Sequence, residues 1–292
     1  MEHTTTTLTA RAIRGLKFYG LLMWRGVLEF EKSDNFTFAA SIAYYSLLSM
    51  GPFLLIVLYV LNHITVANTE GTLLEILVQA LPGRFDFLTA QVNDLEQIVV
   101  QTGIAGAVLM LWASMGVFGA ITSAINHAWG VEKRPSFLKH KLIAFTMLMT
   151  AGVLLMIALL LVSAVQVAQA SWFSNVIADA PFLAKMRSFV FRNVPTPLYV
   201  SVVSLIYYYA PNARVKLRDV WFGALVAGVL WRLAFAGFSW YISDWARFRV
   251  HGPAVAVVVF LLWVYLSAVI LLYGAEVSAC YARMRPRLPD EI

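Results

Sequence analysis

An all-α, polytopic membrane protein with six transmembrane helices is the fold class this sequence predicts. Hydrophobic residues make up 60% of the 292 residues and charged residues 13%, about half the charged share of a soluble domain. The apolar residues fall in long runs, and a hydrocarbon core of ~30 Å takes about 20 apolar residues per helix. Lys and Arg are divided unequally between alternate connections, as the positive-inside rule expects. The net charge of +6 is therefore read as basic loops at the cytoplasmic face. No nucleic-acid partner is expected.

Residues 1–7, "MEHTTTT", are polar, and no short apolar segment with a cleavage site follows them. No cleaved signal peptide is expected. Over 8–33, Ile13, Leu16, Tyr19, Met23, Trp24, Val27 and Phe30 recur at helical period, with Arg11, Arg14, Lys17 and Arg25 on another face. This predicts an N-terminal amphipathic helix in the inner interface. A cytosolic helix packed on the bundle is the alternative. The first span, 37–61, contains "SLLSMGP", Ser46 to Pro52. Pro52 has no N–H, and its ring clashes with the carbonyl four residues back, so a kink is expected at Gly51 and Pro52. Nearby hydroxyls are placed to take the freed backbone groups. Such a kink either serves packing or lines a cavity.

Residues 62–102 are a long acidic connection carrying Glu70, Glu75, Asp86, Asp94 and Glu96 against Arg84. "TLLEILVQAL" and "FLTAQVNDLEQIVV" read as helices broken at Pro82-Gly83, an external helical hairpin. The remaining spans are placed at 103–127, 140–166, 194–210, 220–243 and 254–282. The fourth is short and opens with Pro195 and Pro197. In the second, Gly116, Ala120 and Ala124 are four apart; in the fifth, so are Gly223 and Ala227, and Ala224 and Gly228. Small residues at this spacing let helix backbones approach closely in lipid. No internal repeat is evident, so 1–292 reads as one membrane domain. Fifteen of the 22 Lys and Arg fall in the N-terminal segment, the second-to-third and fourth-to-fifth connections and the tail. That places both termini in the cytoplasm.

The chemistry-bearing residues are sparse. His3, His63, His127, His140 and His251 are scattered, and Cys280 is the one cysteine. No zinc-type spacing and no phosphate-binding glycine loop is present. No metal, cofactor or enzymatic activity is expected, which disfavours a ribonuclease or other hydrolase. Two charges stand out within the spans. Arg232 lies thirteen residues after Asp219, ~20 Å into the bilayer. Either it faces a protein cavity, where its planar fork would suit an anionic headgroup, or it snorkels to the outer interface. Glu276 follows the uncharged run Ala254 to Ala275, which spans ~33 Å and brings it to the inner edge. Asn126, Trp129 and Asn212 reach a similar depth, with Tyr44, Tyr45 and Ser46 about two turns deeper. These residues read as a polar cluster in the cytoplasmic half, either a structural network or a pocket open to the inner leaflet.

Four stretches, taken in order, resemble the YihY/virulence factor BrkB family. "AASIAYYSLLSMGP" resembles its opening motif, and "AINHAWGVEKRPSF" its Asn-x-x-Trp turn. "YYYAPNARVKLRDVWFGALVAGVLW" resembles its Pro-Asn turn and Gly-Ala helix, and "AVVVFLLWVYLSAVILLYGAE" its last span. Two departures are visible. "VHGP" stands where the family often has Tyr-Gly, and Arg232 follows Trp231 where an acidic residue is common. The resemblance implies a bacterial inner-membrane protein of six spans. Some members were once labelled ribonuclease BN, a name regarded as misassigned; others have been connected to serum resistance or to movement of lipopolysaccharide precursors. The functional expectation is handling or transport of a lipid or other amphiphile, with membrane lipids as partners. The alternative is a non-catalytic scaffold binding a periplasmic or membrane protein partner through 62–102.

Overall fold

A computed structural model describes residues 2–64, 115–131, 141–147, 149–150, 153, 195–213, 215–245 and 253–284. The described residues hold helices and turns and no strand. In chain order the helices are α1 (Glu2–Lys32), α2 (Asn35–Ile64), α3 (115–128), α4 (141–147), α5 (Pro195–Tyr209), α6 (Leu217–Trp245) and α7 (Pro253–Met284). The expected hairpin at 62–102 lies almost wholly outside the described residues, as do the first half of the second span and most of the third.

Local chemistry explains the helix limits. α5 and α7 both begin on a proline, whose fixed φ and missing N–H suit the first helical turn. At the start of α6, Asp219 Oδ2 accepts from the Lys216 N–H at 3.3 Å while the Asp219 N–H donates to the Lys216 carbonyl at 2.8 Å. That carboxylate meets an otherwise orphaned amide at the positive end of the helix. α3 closes on Gly130, whose φ of 66° lies in the left-handed region. The Val131 N–H donates to the Asn126 carbonyl, and Gly130 N–H to that of His127, both at 2.9 Å. This pair of bonds is the Schellman arrangement, and it requires a residue tolerant of positive φ.

α6 and α7 contain stretches long and apolar enough to cross a membrane, Leu217–Ile242 and Val257–Met284. α5 adds the shorter apolar run Tyr199–Tyr209. α2 carries no Asp, Glu, Lys or Arg along its 30 residues. It stays helical through Gly51 and Pro52. Ser49 Oγ donates to the Tyr45 carbonyl at 2.6 Å. The hydroxyl thus bonds back within its own turn, and not to the Leu48 carbonyl that Pro52 leaves free.

α7 is the hub, packing against α1, α2, α6 and α5, while α5 and α6 pair closely. The core between them is rich in alanine: Ala39, Ala124, Ala128, Ala224, Ala227 and Ala275 are all buried. Close backbone approach carries packing in lipid, where apolar side chains gain little by leaving the solvent. At the α6–α7 crossing a Cβ on Gly223 would run into Ser278 Oγ and the Gly274 carbonyl. A Cβ on Gly274 would meet the Tyr207 hydroxyl, and lie 2.8 Å from both the Ala227 Cβ and the Gly223 carbonyl. The two small-residue faces of the fifth span therefore serve different neighbours. Gly223 and Ala227 face α7, and Gly228 faces Val200 of α5.

α1 rests on the C-terminal part of α7. Leu22 packs with Val277 and Cys280, and Phe30 reaches Tyr273. A Cβ on Gly26 would lie 2.7 Å from Val277 Cγ2. The contact face is therefore Tyr19, Leu22, Gly26 and Phe30. Among the described side chains it shares Tyr19 and Phe30 with the predicted apolar face; Trp24, Val27 and Met23 are exposed. The helix is apolar on two sides, so hydrophobic periodicity alone could not say which one meets protein. Large exposed apolar side chains continue over the bundle, among them Leu233, Trp240 and Val258. A surface of that kind suits lipid, not water.

Candidate functional site

Glu276 is 2% exposed and Asn35 fully buried. Asn35 is the first residue of α2, directly after the Ser33-Asp34 turn. From there its Nδ2 donates to Glu276 Oε1 at 3.0 Å and approaches the Phe30 carbonyl at 3.4 Å. One amide thus joins the end of α1, the start of α2 and the C-terminal part of α7. Asn35 Oδ1 is enclosed with no hydrogen-bond partner among the described residues. Arg283, Glu29 and His127 lie within electrostatic reach of the carboxylate. His127 also packs its ring against Phe38 of α2, with centroids 5.1 Å apart.

A second set of bonds lies at the end of α3. Asn126 Nδ2 donates to the Thr122 carbonyl at 2.8 Å and to the Ala210 carbonyl at 3.3 Å. Its Oδ1 accepts from the Asn212 backbone N–H at 2.7 Å. Asn126 therefore clamps the turn between α5 and α6 to α3. Arg283 donates to the Ala128 carbonyl at 2.8 Å. A cation at this spot satisfies a terminal carbonyl and complements the negative end of the helix. Trp129 is half-buried, and its Nε1 is enclosed without a partner among the described residues.

The structure thus brings Asn126, Trp129 and Asn212 into one turn cluster, which Arg283 links to the helix that carries Glu276. Tyr44 and Tyr45 stand apart. They are 58% and 43% exposed, nine and ten residues beyond Asn35 and so ~14 Å further along α2. The Tyr45 ring lies against Gly116 of α3. Ser46 is half-buried, and its carbonyl accepts from Ser49 Oγ at 3.4 Å. Arg232 is exposed on α6 and donates to Thr196 Oγ1 at 2.7 Å, in the first turn of α5. Beside it, Tyr199 stacks on Trp231 with ring centroids 4.7 Å apart. The guanidinium therefore reaches along the bundle surface toward the start of α5, at the end opposite Glu276.

Sequence reasoning missed Asn35 and Tyr207. A buried-side amide on the first residue of a long uncharged helix was the available signal for Asn35. Tyr207 is fully buried, and its hydroxyl donates to the Leu271 carbonyl directly over Gly274. Nothing in the spacing of "LIYYYAP" distinguishes it from its two neighbours. Among the described residues no group of three or more His, Cys, Asp or Glu could hold a metal ion.

Long apolar helices, packed through small residues and presenting large apolar side chains outward, define an all-helical integral membrane protein. Its family follows from direct comparison: residues 27–291 match the model of the family described as Virulence factor BrkB, and the chain belongs to that family. It is 27% identical over 260 residues to the putative ribonuclease-like protein YfkH of Bacillus subtilis, covering 87% of this chain and 92% of that one. It is 27% identical over 263 residues to a UPF0761 membrane protein of Vibrio vulnificus, covering 87% and 80%. A UPF0761 membrane protein of Aliivibrio salmonicida is 28% identical over 269 residues, covering 89% and 83%. No solved structure matches the chain.

Proposed function

We propose that this chain handles a lipid or other amphiphile in the bacterial inner membrane and moves it without enzymatic chemistry of its own. In this reading six spans cross the bilayer, both termini are cytoplasmic and membrane lipids are the partners. The observation that carries it is the pairing of two surfaces an amphiphile needs. Polar groups on α2, α3 and α7 gather at one end of the bundle, and further along α2 the large apolar side chains of Tyr44 and Leu48, one turn apart, are exposed. A headgroup would be met at the polar end and acyl chains along the exposed helix face. Arg232, bonded to Thr196 at the far end, acts as an interfacial anchor in this scheme.

Purification in native-lipid nanodiscs, with mass spectrometry of the retained molecules, tests the reading. One lipid class enriched over the bulk membrane is expected, with the enrichment reduced by Tyr44→Ala combined with Tyr45→Ala. Bulk lipid in unchanged proportion would count against it.

A further inference from the structure

Glu276 faces an amide that is only half used. Its carboxylate and Asn35 are both buried, and Asn35 Nδ2 donates to Glu276 Oε1 at 3.0 Å. Asn35 Oδ1 beside it is enclosed with no partner among the described residues. A carboxylate and an amide oxygen are both acceptors, and a carboxyl group offers a donor only when it carries a proton. The junction therefore holds a buried acceptor on the same amide that bonds Glu276, and a protonated Glu276 would bring it a donor. Buried polar atoms left without partners are rare and ask for a reason.

We propose that Glu276 is a proton-binding site, and that its neutral acid form makes a two-bond acid–amide pair with Asn35 that holds the α1–α2 elbow on α7. The step balances simply: a hydronium ion gives one proton to the carboxylate and leaves a water molecule. Release of that proton leaves a charge in the crossing. The groups facing it are Glu29 from α1, His127 from α3, and Arg283 and Cys280 from α7, with the neutral Asn35 from α2. Glu29 repels the charge, while Arg283, held at the Ala128 carbonyl, is drawn toward it. Deprotonation therefore loosens the elbow and tugs at the cap of α3. The consequence is a proton-sensitive contact between the N-terminal helix and the hub helix. It stands on the Asn35–Glu276 geometry and not on the amphiphile reading above.

Difference infrared spectroscopy of the full chain in phosphatidylethanolamine/phosphatidylglycerol nanodiscs, recorded over a pH series, tests this. A protonated-carboxyl C=O band should be lost as pH rises, be missing in Glu276→Gln and shift in Asn35→Ala. No lost band in the wild type, or a band that persists in Glu276→Gln, overturns the proposal. Hydrogen–deuterium exchange of peptides covering 28–38 gives a second readout. The ratio of wild type to Glu276→Gln at each pH cancels the intrinsic pH dependence of amide exchange. That ratio should stay near unity at low pH and rise several-fold at high pH; a flat ratio contradicts the elbow. If Glu276→Gln does not fold, the wild-type band and its shift in Asn35→Ala carry the test, and an unshifted band overturns the pairing.

Discussion

Asn35 donates its side-chain N–H to Glu276 Oε1 across 3.0 Å, joining positions 241 residues apart. The bond ties the first residue of α2 to the hub helix, at the level where α1 turns into α2. Glu276→Ala would orphan a buried amide and open a cavity, costing about 2–4 kcal/mol. Glu276→Gln keeps the shape and should stay within about 1 kcal/mol of the wild type. Thermal unfolding of both variants in one detergent separates these outcomes, and equal losses would mean that shape and polarity at this position do not matter.

Packing of α6 on α7 depends on the absence of two side chains. Gly274→Val would collide with the Tyr207 hydroxyl, Ala227 and the Gly223 carbonyl, and overpacking of this kind costs about 1–3 kcal/mol or more. Gly237, with nothing within 4 Å of an added Cβ, is the control. Gly237→Ala should leave the melting temperature unchanged or slightly raised, since alanine is the better helix former by about 1 kcal/mol. Comparable losses in both variants would refute the close-approach account.

The cap that Arg283 places on α3 predicts a local effect. Arg283→Met removes the donor to the Ala128 carbonyl at a cost of about 1–3 kcal/mol, in the range of charge-assisted hydrogen bonds. Faster amide exchange should appear over 126–131, with the α5–α6 crossing unaffected. Exchange unchanged at 126–131 would show that the Schellman turn holds the helix end by itself.

At the other end of the bundle, the Arg232–Thr196 bond predicts a measurable coupling. Arg232→Leu and Thr196→Val should each cost less than about 1.5 kcal/mol, and the double variant should cost no more than the larger single one. Fully additive losses would mean that the two side chains do not interact in the membrane.

How far the site was legible follows from what each residue's neighbours reveal. The position of Glu276 along its helix could be read, because an uncharged run of known length leads to it and the helix rise is constant. Asn126 and Asn212 were grouped by the same counting, and the structure joins them by a 2.7 Å bond. Azimuth could not be read. Tyr44 and Tyr45 were assigned to one polar cluster with Glu276, two turns deeper, yet Tyr44 is exposed and the partly exposed Tyr45 ring lies against Gly116 of α3. In lipid the outer face of a helix is as apolar as the inner one, so the period that marks a core face in a soluble protein is lost. The same ambiguity hid Leu22 and Gly26 as the contact face of α1. Asn35 escaped because its role depends on a turn that folds it back toward a helix far along the chain. Arg232 was visible as an embedded charge, but its partner Thr196 depends on the pairing of α5 with α6, which no single sequence displays.

The most direct test of the central claim is lipid movement in a defined system. The purified chain is reconstituted into liposomes containing a fluorescent phospholipid, and a membrane-impermeant quencher is added outside. Transport predicts that fluorescence falls below the inner-leaflet level retained by protein-free vesicles, with a slower fall for Tyr44→Ala combined with Tyr45→Ala. Quenching confined to the outer-leaflet fraction, at every protein-to-lipid ratio and at every pH tried, would contradict the claim that this protein moves an amphiphile.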